Sequence, residues 1–264
     1  MNLELAGKTA YVTGGAKGIG SAIVDALLTE GAVVAISDVD DAALQSKKNE
    51  CEGAGRSLLT VRSDLSTSAG CGDAAQFVLD QLGVPDILIN NVGVAINRPF
   101  EDITDEGWMQ TFNINFMSHV RTCRHLIPLM AKGNGGSVVN IASDLAKQPE
   151  AVPSDYGACK AALLSLTKSL AIAYAPAVRI NAVCPGPIWT ELWSKPGGVV
   201  DLLSDMYGLP KEAALERYLS ERRLPLGIGE PADVAALVAF LVSPRAKYIT
   251  ASSYEVGGSI RSLL

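Results

Sequence analysis

Basic residues, histidine and paired cysteine are what this sequence has least of. Its 22 Lys and Arg are outnumbered by 28 Asp and Glu, a net charge of −6. That leaves no basic footprint for nucleic acid or anionic lipid. The two histidines, His119 and His125, lie six apart, the wrong spacing to share a helix face, which argues against a metal site. The five cysteines are odd in number and form no C-x-x-C pair, so reduced thiols in a cytosol are expected. No run of about 18 apolar residues marks a membrane span, and Met1-Asn2-Leu3-Glu4 begins no signal peptide. Neither an internal repeat nor a low-complexity break divides the chain. The expectation is a cytoplasmic protein of one domain, residues 1–264, whose partner is a small molecule.

Apolar residues are plentiful, at 48% against 19% charged, so 264 residues can bury a sizeable core. The chain is organised around Thr13-Gly14-Gly15-Ala16-Lys17-Gly18-Ile19-Gly20. Before it Lys8–Val12 reads as a buried strand, and after it Ser21–Leu28 has apolar residues at helical spacing. A glycine-rich turn between strand and helix presents free backbone N–H groups at the positive end of a helix dipole, which attracts a pyrophosphate. A Cβ would block the turn and the approach of the phosphate. Three residues separate Gly14 from Gly18, where the common dinucleotide fingerprint has one, so a plain tight turn is the competing reading.

Further strands are expected at Ala32–Ile36, Ser57–Val61, Asp86–Asn90, Gly136–Ala142, Val178–Cys184 and Ser253–Val256. Helices are expected at Asp40–Glu52, Thr67–Leu82, Glu106–Met130, Ser154–Ala175 and Ala232–Val242, with Pro128 bending one last turn. Glu191–Leu226 reads as two short helices among several breakers. Regular alternation predicts one doubly wound parallel sheet of about seven strands, with helices on both faces.

Several polar residues close these strands. Asp38 ends the second, where a carboxylate accepts from the adenosine ribose of NAD and repels the 2′-phosphate of NADP, or caps the next helix. Lys17 pulls the other way, since a cation could meet that phosphate. Asp64 can accept from the adenine amino group or cap a helix. Asn90-Asn91-Val92-Gly93 places polar side chains and bare backbone beside a ligand, or makes a turn. Asn115 sits in an apolar helix stripe and is either a structural hydrogen bond or a site residue. Ser143 ends the fifth strand. Tyr156 and Lys160, at i and i+4, share a helix face.

Taken together, Thr13–Gly20, Asp38, Asp64, Asn90–Gly93, Asn115, Ser143, Tyr156 with Lys160, and Pro185-Gly186 resemble the short-chain dehydrogenase/reductase family over essentially the whole chain. Val92 departs from the family's alanine, and Val256 from an acidic residue that often precedes the terminal glycine pair. The resemblance implies an NAD-dependent oxidoreductase interconverting a secondary alcohol and a ketone, with Asn115, Ser143, Tyr156 and Lys160 as its catalytic set. It implies cofactor contacts from Gly14, Lys17, Gly18, Ile19, Gly20, Asp38, Asp64, Leu65, Asn91, Gly93, Tyr156, Lys160, Pro185, Gly186, Ile188 and Thr190. In that mechanism Tyr156 is the proton acceptor, Ser143 binds the substrate oxygen, and Lys160 holds the nicotinamide ribose. Asn115 would bend its helix and anchor a water chain. A positive charge at about 6 Å would contribute roughly 3 kcal/mol, or about two pKa units, toward making Tyr156 a base.

By family position, about residues 186–226 form a substrate lid, and its Trp189, Leu192, Trp193, Met206, Tyr207 and Leu209 suit a hydrophobic, cyclic or aromatic substrate. A lone lid tryptophan can equally be packing. The alternative is reduction of a 3-oxoacyl thioester, with Arg121 and Arg124 docking an acidic carrier protein. A non-catalytic NAD-binding protein is a third reading, which the intact catalytic set opposes. The apolar helices at 106–130 and 154–175 suggest a homotetramer or homodimer.

Overall fold

A computed structural model describes residues 2–258; Met1 and residues 259–264 of the expected domain lie outside the described residues. Seven strands form one sheet in the order β3-β2-β1-β4-β5-β6-β7, and every pairing is parallel. They are β1 (Thr9–Thr13), β2 (Val33–Asp38), β3 (Leu58–Arg62), β4 (Ile87–Asn90), β5 (Gly136–Ile141), β6 (Val178–Pro185) and β7 (Ser253–Val256). Near-continuous burial along β1, β4, β5 and β6 follows from helices covering both faces.

One face carries α1 (Gly18–Thr29) and α10 (Pro231–Val242), whose Ile23, Val24, Leu27, Val234, Val238 and Leu241 pack on Val12, Ile36 and Val139. The other carries α3 (Ser68–Leu82), α5 (Ser118–Lys132) and α6 (Ser154–Tyr174), with Val78, Leu126, Ile127 and Ala171 against Tyr11, Leu88 and Val138. Helix α2 (Asp41–Gly53) closes the β3 edge, capped by the Asp40 side chain on the Ala43 amide. Asp40, not Asp38, is therefore the cap.

The expected helix over 106–130 is three pieces: α4 (Asp105–Phe112), a π-helical turn (Asn113–Met117) and α5, which continues through Pro128. The segment after β6 holds three short helices where two were expected: α7 (Glu191–Ser194), α8 (Val199–Tyr207) and α9 (Lys211–Glu221). Pro196-Gly197-Gly198 separates the first two. Gly208, left-handed at φ +61°, and Pro210 separate the last two. The segment after β6 has its own small core of Trp193, Leu203 and Ala214.

Because all strands run the same way, their carboxyl ends share one rim. Chain direction reverses outward from β1 toward β2 on one side and toward β4 on the other. That crevice is where ligands bind in open parallel sheets. No helix among the described residues is long and apolar enough to cross a membrane.

Candidate active site

The crevice holds a cleft of about 1070 Å³ running from Asp38 and Asp64 to Tyr156 and the lid. All the sequence-assigned cofactor residues line it, as do Ser143, Tyr156 and Lys160, while Asn115 stands behind it.

Its floor is the glycine turn. Gly14 and Gly18 are left-handed, at φ +61° and +53°. A Cβ on Gly20 would lie 2.1 Å from the Gly14 carbonyl oxygen and 2.6 Å from Asn91 Nδ2. Helix α1 has neither a side-chain cap nor an acidic residue in its first turn, so its leading N–H groups face the cleft without a protein anion. These two features fit a pyrophosphate. Asn91 Nδ2 donates to the carbonyls of Thr13 (3.1 Å) and Gly14 (2.9 Å), which fixes the turn against the end of β4. Thr13 Oγ1 accepts from the amides of Asn91 (2.9 Å) and Val92 (3.2 Å). Sequence reading set Thr13 at the head of the glycine motif but assigned it no contact of its own.

At the adenosine end, Asp38 Oδ2 accepts from the Ala16 amide (3.3 Å) and Oδ1 from the Asp40 amide (3.2 Å), so its carboxylate is oriented at the cleft. Lys17 Nζ lies 2.8 Å from Asp40 Oδ2 and 3.9 Å from Glu191 Oε2. Asp40 raises the Lys17 pKa and keeps that cation occupied. Asp64 Oδ1 accepts from the Ser66 amide at 2.9 Å, while Thr67 caps α3, so Asp64 is not the helix cap. Leu65 is buried beside it.

The chemistry-bearing end is built by three elements. Asn115, fully buried in the π turn, donates to the Val94 (2.9 Å) and Thr111 (3.0 Å) carbonyls and accepts from the Val94 amide (2.9 Å). It ties the strand-end loop to the helix. Ser143 follows β5; its Oγ donates to Asp144 Oδ1 (3.1 Å) and accepts from the Leu145 amide (3.2 Å). Near the start of α6, Lys160 Nζ donates to the Ile141 carbonyl (2.9 Å) and lies 5.5 Å from the Tyr156 ring centroid. A Cβ on Gly93 would stand 3.1 Å from Lys160 Nζ, so glycine leaves that ammonium open to the cleft.

Burial dominates the electrostatics here. It raises the Tyr156 phenol above its ordinary value; a hydrogen bond with Ser143 works against this, and the Asp144 carboxylate adds to it. Burial also pulls Lys160 down to about 8. The expected depression of Tyr156 by Lys160 is therefore not a property of the protein alone. Desolvation of the phenolate is the largest influence, and the ring is held neutral at physiological pH.

On the lid side, the Gly186 amide donates to the Val256 carbonyl (3.0 Å). A Cβ on Gly186 would meet Gly257 Cα at 2.7 Å. Ile188 bridges to Gly229, and Thr190 precedes α7 opposite Gly18. The rings of Trp189 and Trp193 stack at 6.1 Å, and Tyr218 meets Trp193 edge-on at 5.6 Å. Beside them Arg222 pairs with Asp144 and Glu150, a charged corner that sequence reading did not foresee. Arg121 donates to the Ser66 carbonyl and to Asn113 Oδ1, so it is engaged within the fold, whereas Arg124 is exposed.

A glycine cradle, a carboxylate at the end of β2 and a Ser–Tyr–Lys set share one cleft, and the comparisons agree with that arrangement. The family model described as short chain dehydrogenase matches residues 8–197. The chain belongs to the short-chain dehydrogenase family. The chain is 34% identical to the 3-oxoacyl-[acyl-carrier-protein] reductase of Chlamydia pneumoniae, over 98% of this chain and 99% of that one. It is 32% identical to the sorbitol dehydrogenase of Cereibacter sphaeroides, over 97% and 98% of the two chains. Among solved structures, L-sorbose reductase of Gluconobacter frateurii, complexed with NADPH and L-sorbose, superposes with a TM-score of 0.93 at 30% identity, covering both chains fully. As a short-chain dehydrogenase the protein is an oxidoreductase of alcohol or ketone substrates that binds a nicotinamide cofactor.

Burial of Lys160 sets a stability test. Its folded pKa, about 8, lies below the ordinary 10.5, so the buried charge costs stability below pH 8, and the cost vanishes as pH rises through 10.5. Lys160→Met should raise stability at pH 7 by about 1–3 kcal/mol while abolishing turnover, the lost bond to Ile141 holding the gain below the full charge cost. The gain should fade toward pH 10.5. Denaturant midpoints of both proteins at pH 7 and pH 10 check it; an equal difference at the two pH values contradicts it.

Proposed function

We propose that the protein is an NAD-preferring enzyme that interconverts a secondary alcohol and its ketone. The observation that carries this reading is the meeting of Ser143, Tyr156 and Lys160 on one wall of the cleft. The glycine turn and α1 amides would hold the pyrophosphate, Asp38 the adenosine ribose, Asp64 and Leu65 the adenine. Asn91 and Gly93 would flank the nicotinamide half, Lys160 with Tyr156 would take its ribose, and Pro185, Gly186, Ile188 and Thr190 would close the far side. The bound dinucleotide supplies a hydride acceptor or donor and, when oxidised, a positive charge at its ring.

The chain's own residues handle the oxygen and its proton. Ser143 Oγ donates to the substrate oxygen and stabilises negative charge growing there. Neutral Tyr156 carries the proton that this oxygen takes in the reductive direction. In the oxidative direction it is the acceptor, and the Lys160 ammonium favours the phenolate that results. Asn115 fixes the Val94 backbone and so the loop carrying Gly93.

For the substrate, the Trp189–Trp193–Tyr218 wall supports an apolar, cyclic or aromatic body. A second reading, a polyhydroxylated substrate, is favoured by the Asp144–Glu150–Arg222 corner, whose charged groups are good hydroxyl partners. The sorbitol dehydrogenase and L-sorbose reductase relatives support it. The thioester reading rests on the 3-oxoacyl reductase relative, and it has only Arg124 of the supposed docking pair exposed. We also propose a homotetramer or homodimer, since Met109, Leu129 and Ile172 are exposed on α4, α5 and α6. A scattering mass near 27.6 kDa, the single chain, would refute that.

Tyr156→Phe removes the proton donor and acceptor and keeps the ring. Turnover, followed at the nicotinamide absorbance over a panel of secondary alcohols and ketones, should fall by about 10²–10⁴. Near-normal turnover in a folded variant sinks the reading.

Cofactor choice is the last test here. At roughly 5 Å and an effective dielectric near 20, a 2′-phosphate and the Asp38 carboxylate repel by several kcal/mol. Lys17 is a counterweight, and Asp40 already holds it. The structure of the sorbose reductase relative contains NADPH, so the choice is specific to this chain's residues. NAD should be preferred by about a hundredfold in kcat/KM, and Asp38→Arg should reverse the preference. Equal efficiency of the two cofactors on the unaltered enzyme counts against Asp38 as the selector.

A further inference from the structure

The charged corner of the cleft joins the lid to the catalytic wall. Arg222 ends α9, and its side chain is only 11% exposed. One guanidinium nitrogen donates to Asp144 Oδ2 at 2.5 Å, and the other lies 2.8 Å from Glu150 Oε1 and 3.1 Å from the Tyr218 hydroxyl. Asp144 Oδ1, the second oxygen of that carboxylate, accepts the Ser143 hydroxyl at 3.1 Å. Ser143 and Asp144 in turn both act on the Tyr156 phenol. A polar chain therefore runs Arg222, Asp144, Ser143, Tyr156, from lid to proton donor.

Two consequences follow from the chemistry of a carboxylate in that place. First, the Ser143 hydroxyl has one proton, and in this structure it points to Asp144. To bind a substrate oxygen that proton must turn away, and a carboxylate engaged by a guanidinium is a weaker competitor for it. Second, a negative charge beside Tyr156 disfavours the phenolate, and a guanidinium on that charge cancels most of its field. We propose that Arg222 is a positioning residue for the reaction: from the end of α9 it holds the Asp144 carboxylate, frees the Ser143 hydroxyl for substrate and shields Tyr156 from that carboxylate.

Other charges near this chain are accounted for by their own partners. Facing Tyr156 are Ser143, Asp144, the Cys159 thiol and Lys160. Asp155, next in sequence, accepts from Arg98, Thr111 and the Tyr156 amide. Facing Arg222 are Asp144, Glu150 and Tyr218, while Glu221 is bound by Arg217 and Tyr207. On the loop after Ser143, Lys147 pairs with Glu255 at 2.7 Å. Arg222 is a cation in direct contact with Asp144.

The inference rests on Tyr156 being the proton donor and acceptor, and the test separates the two. The readout is the pH profile of kcat/KM for alcohol oxidation with the complete enzyme and cofactor. Arg222→Met should move its acid limb upward by about one pH unit, the effect of losing one positive charge at some 10 Å in an effective dielectric near 20. It should lower kcat by about tenfold, the effect of one competed hydrogen bond in the transition state. Arg222→Lys should recover most of the pH shift. Asp144→Asn, with Arg222 kept, should move the limb downward, which decides the matter even if Arg222→Met folds poorly. The double variant should return it toward the original position. An unmoved limb in either single variant, or an effect of Arg222→Met confined to KM, overturns the proposal. If Tyr156→Phe is active, the underlying reading fails whatever Arg222 does; if it is inactive and the limb stays put, only the role of Arg222 fails.

Discussion

The side-chain amide of Asn91 holds this structure together where the sheet divides. Chain order reverses between β1 and β4, and nothing covalent joins their ends at the rim. The amide donates to the Thr13 and Gly14 carbonyls, and Thr13 Oγ1 accepts the Asn91 and Val92 amides. These bonds satisfy backbone groups that a tight glycine turn leaves without sheet partners. They also fix the direction of the α1 N-terminus relative to β4 and, through Gly93, to Lys160. The glycine spacing is a consequence of this lock. Gly20 has no room for a Cβ because Gly14 and Asn91 already occupy that space. A residue read as a ligand contact thus owes its place first to the backbone.

A second constraint is burial at the catalytic wall, which disfavours charge on both Tyr156 and Lys160. The two shifts have opposite directions and a common cause, loss of water. Burial therefore keeps the proton on tyrosine and loosens it on lysine. With its proton held in this way, the Tyr156 phenol is not ionised at physiological pH. Sequence arithmetic counted positive charge from Lys160 and the oxidised nicotinamide and left out desolvation of the phenol.

Much of the fold was legible because its signals are local. Buried strands such as Ala32–Ile36 read as apolar runs, glycines and Asp or Ser marked their ends, and alternation with helices left one topology class. The family motifs then placed Asn115, Ser143, Tyr156 and Lys160 before any coordinates. What stayed hidden depends on contacts distant in sequence. The π turn at Asn113–Met117 lies inside a stripe of unbroken helical period, and only the Val94 backbone, some 21 residues earlier, gives Asn115 a reason to leave that ladder. Asp40 rather than Asp38 caps α2 because Asp38 is already turned toward Ala16. Thr13 has no contact of its own until β4 is laid beside it.

The lid was the least legible part, for a physical reason. Its helices are short and its core is small, so no strong periodicity announces them; α7 has four residues. Such a unit cannot hold itself in place by apolar burial alone and needs fixed contacts to the body of the protein. The stacked tryptophans give it shape, and Arg222 gives it an anchor 78 residues away in sequence. Guanidinium and carboxylate are well suited to that task because the pair is directional and loses strength steeply with distance. The contact with Asp144 sets the end of α9 beside the residue that follows Ser143.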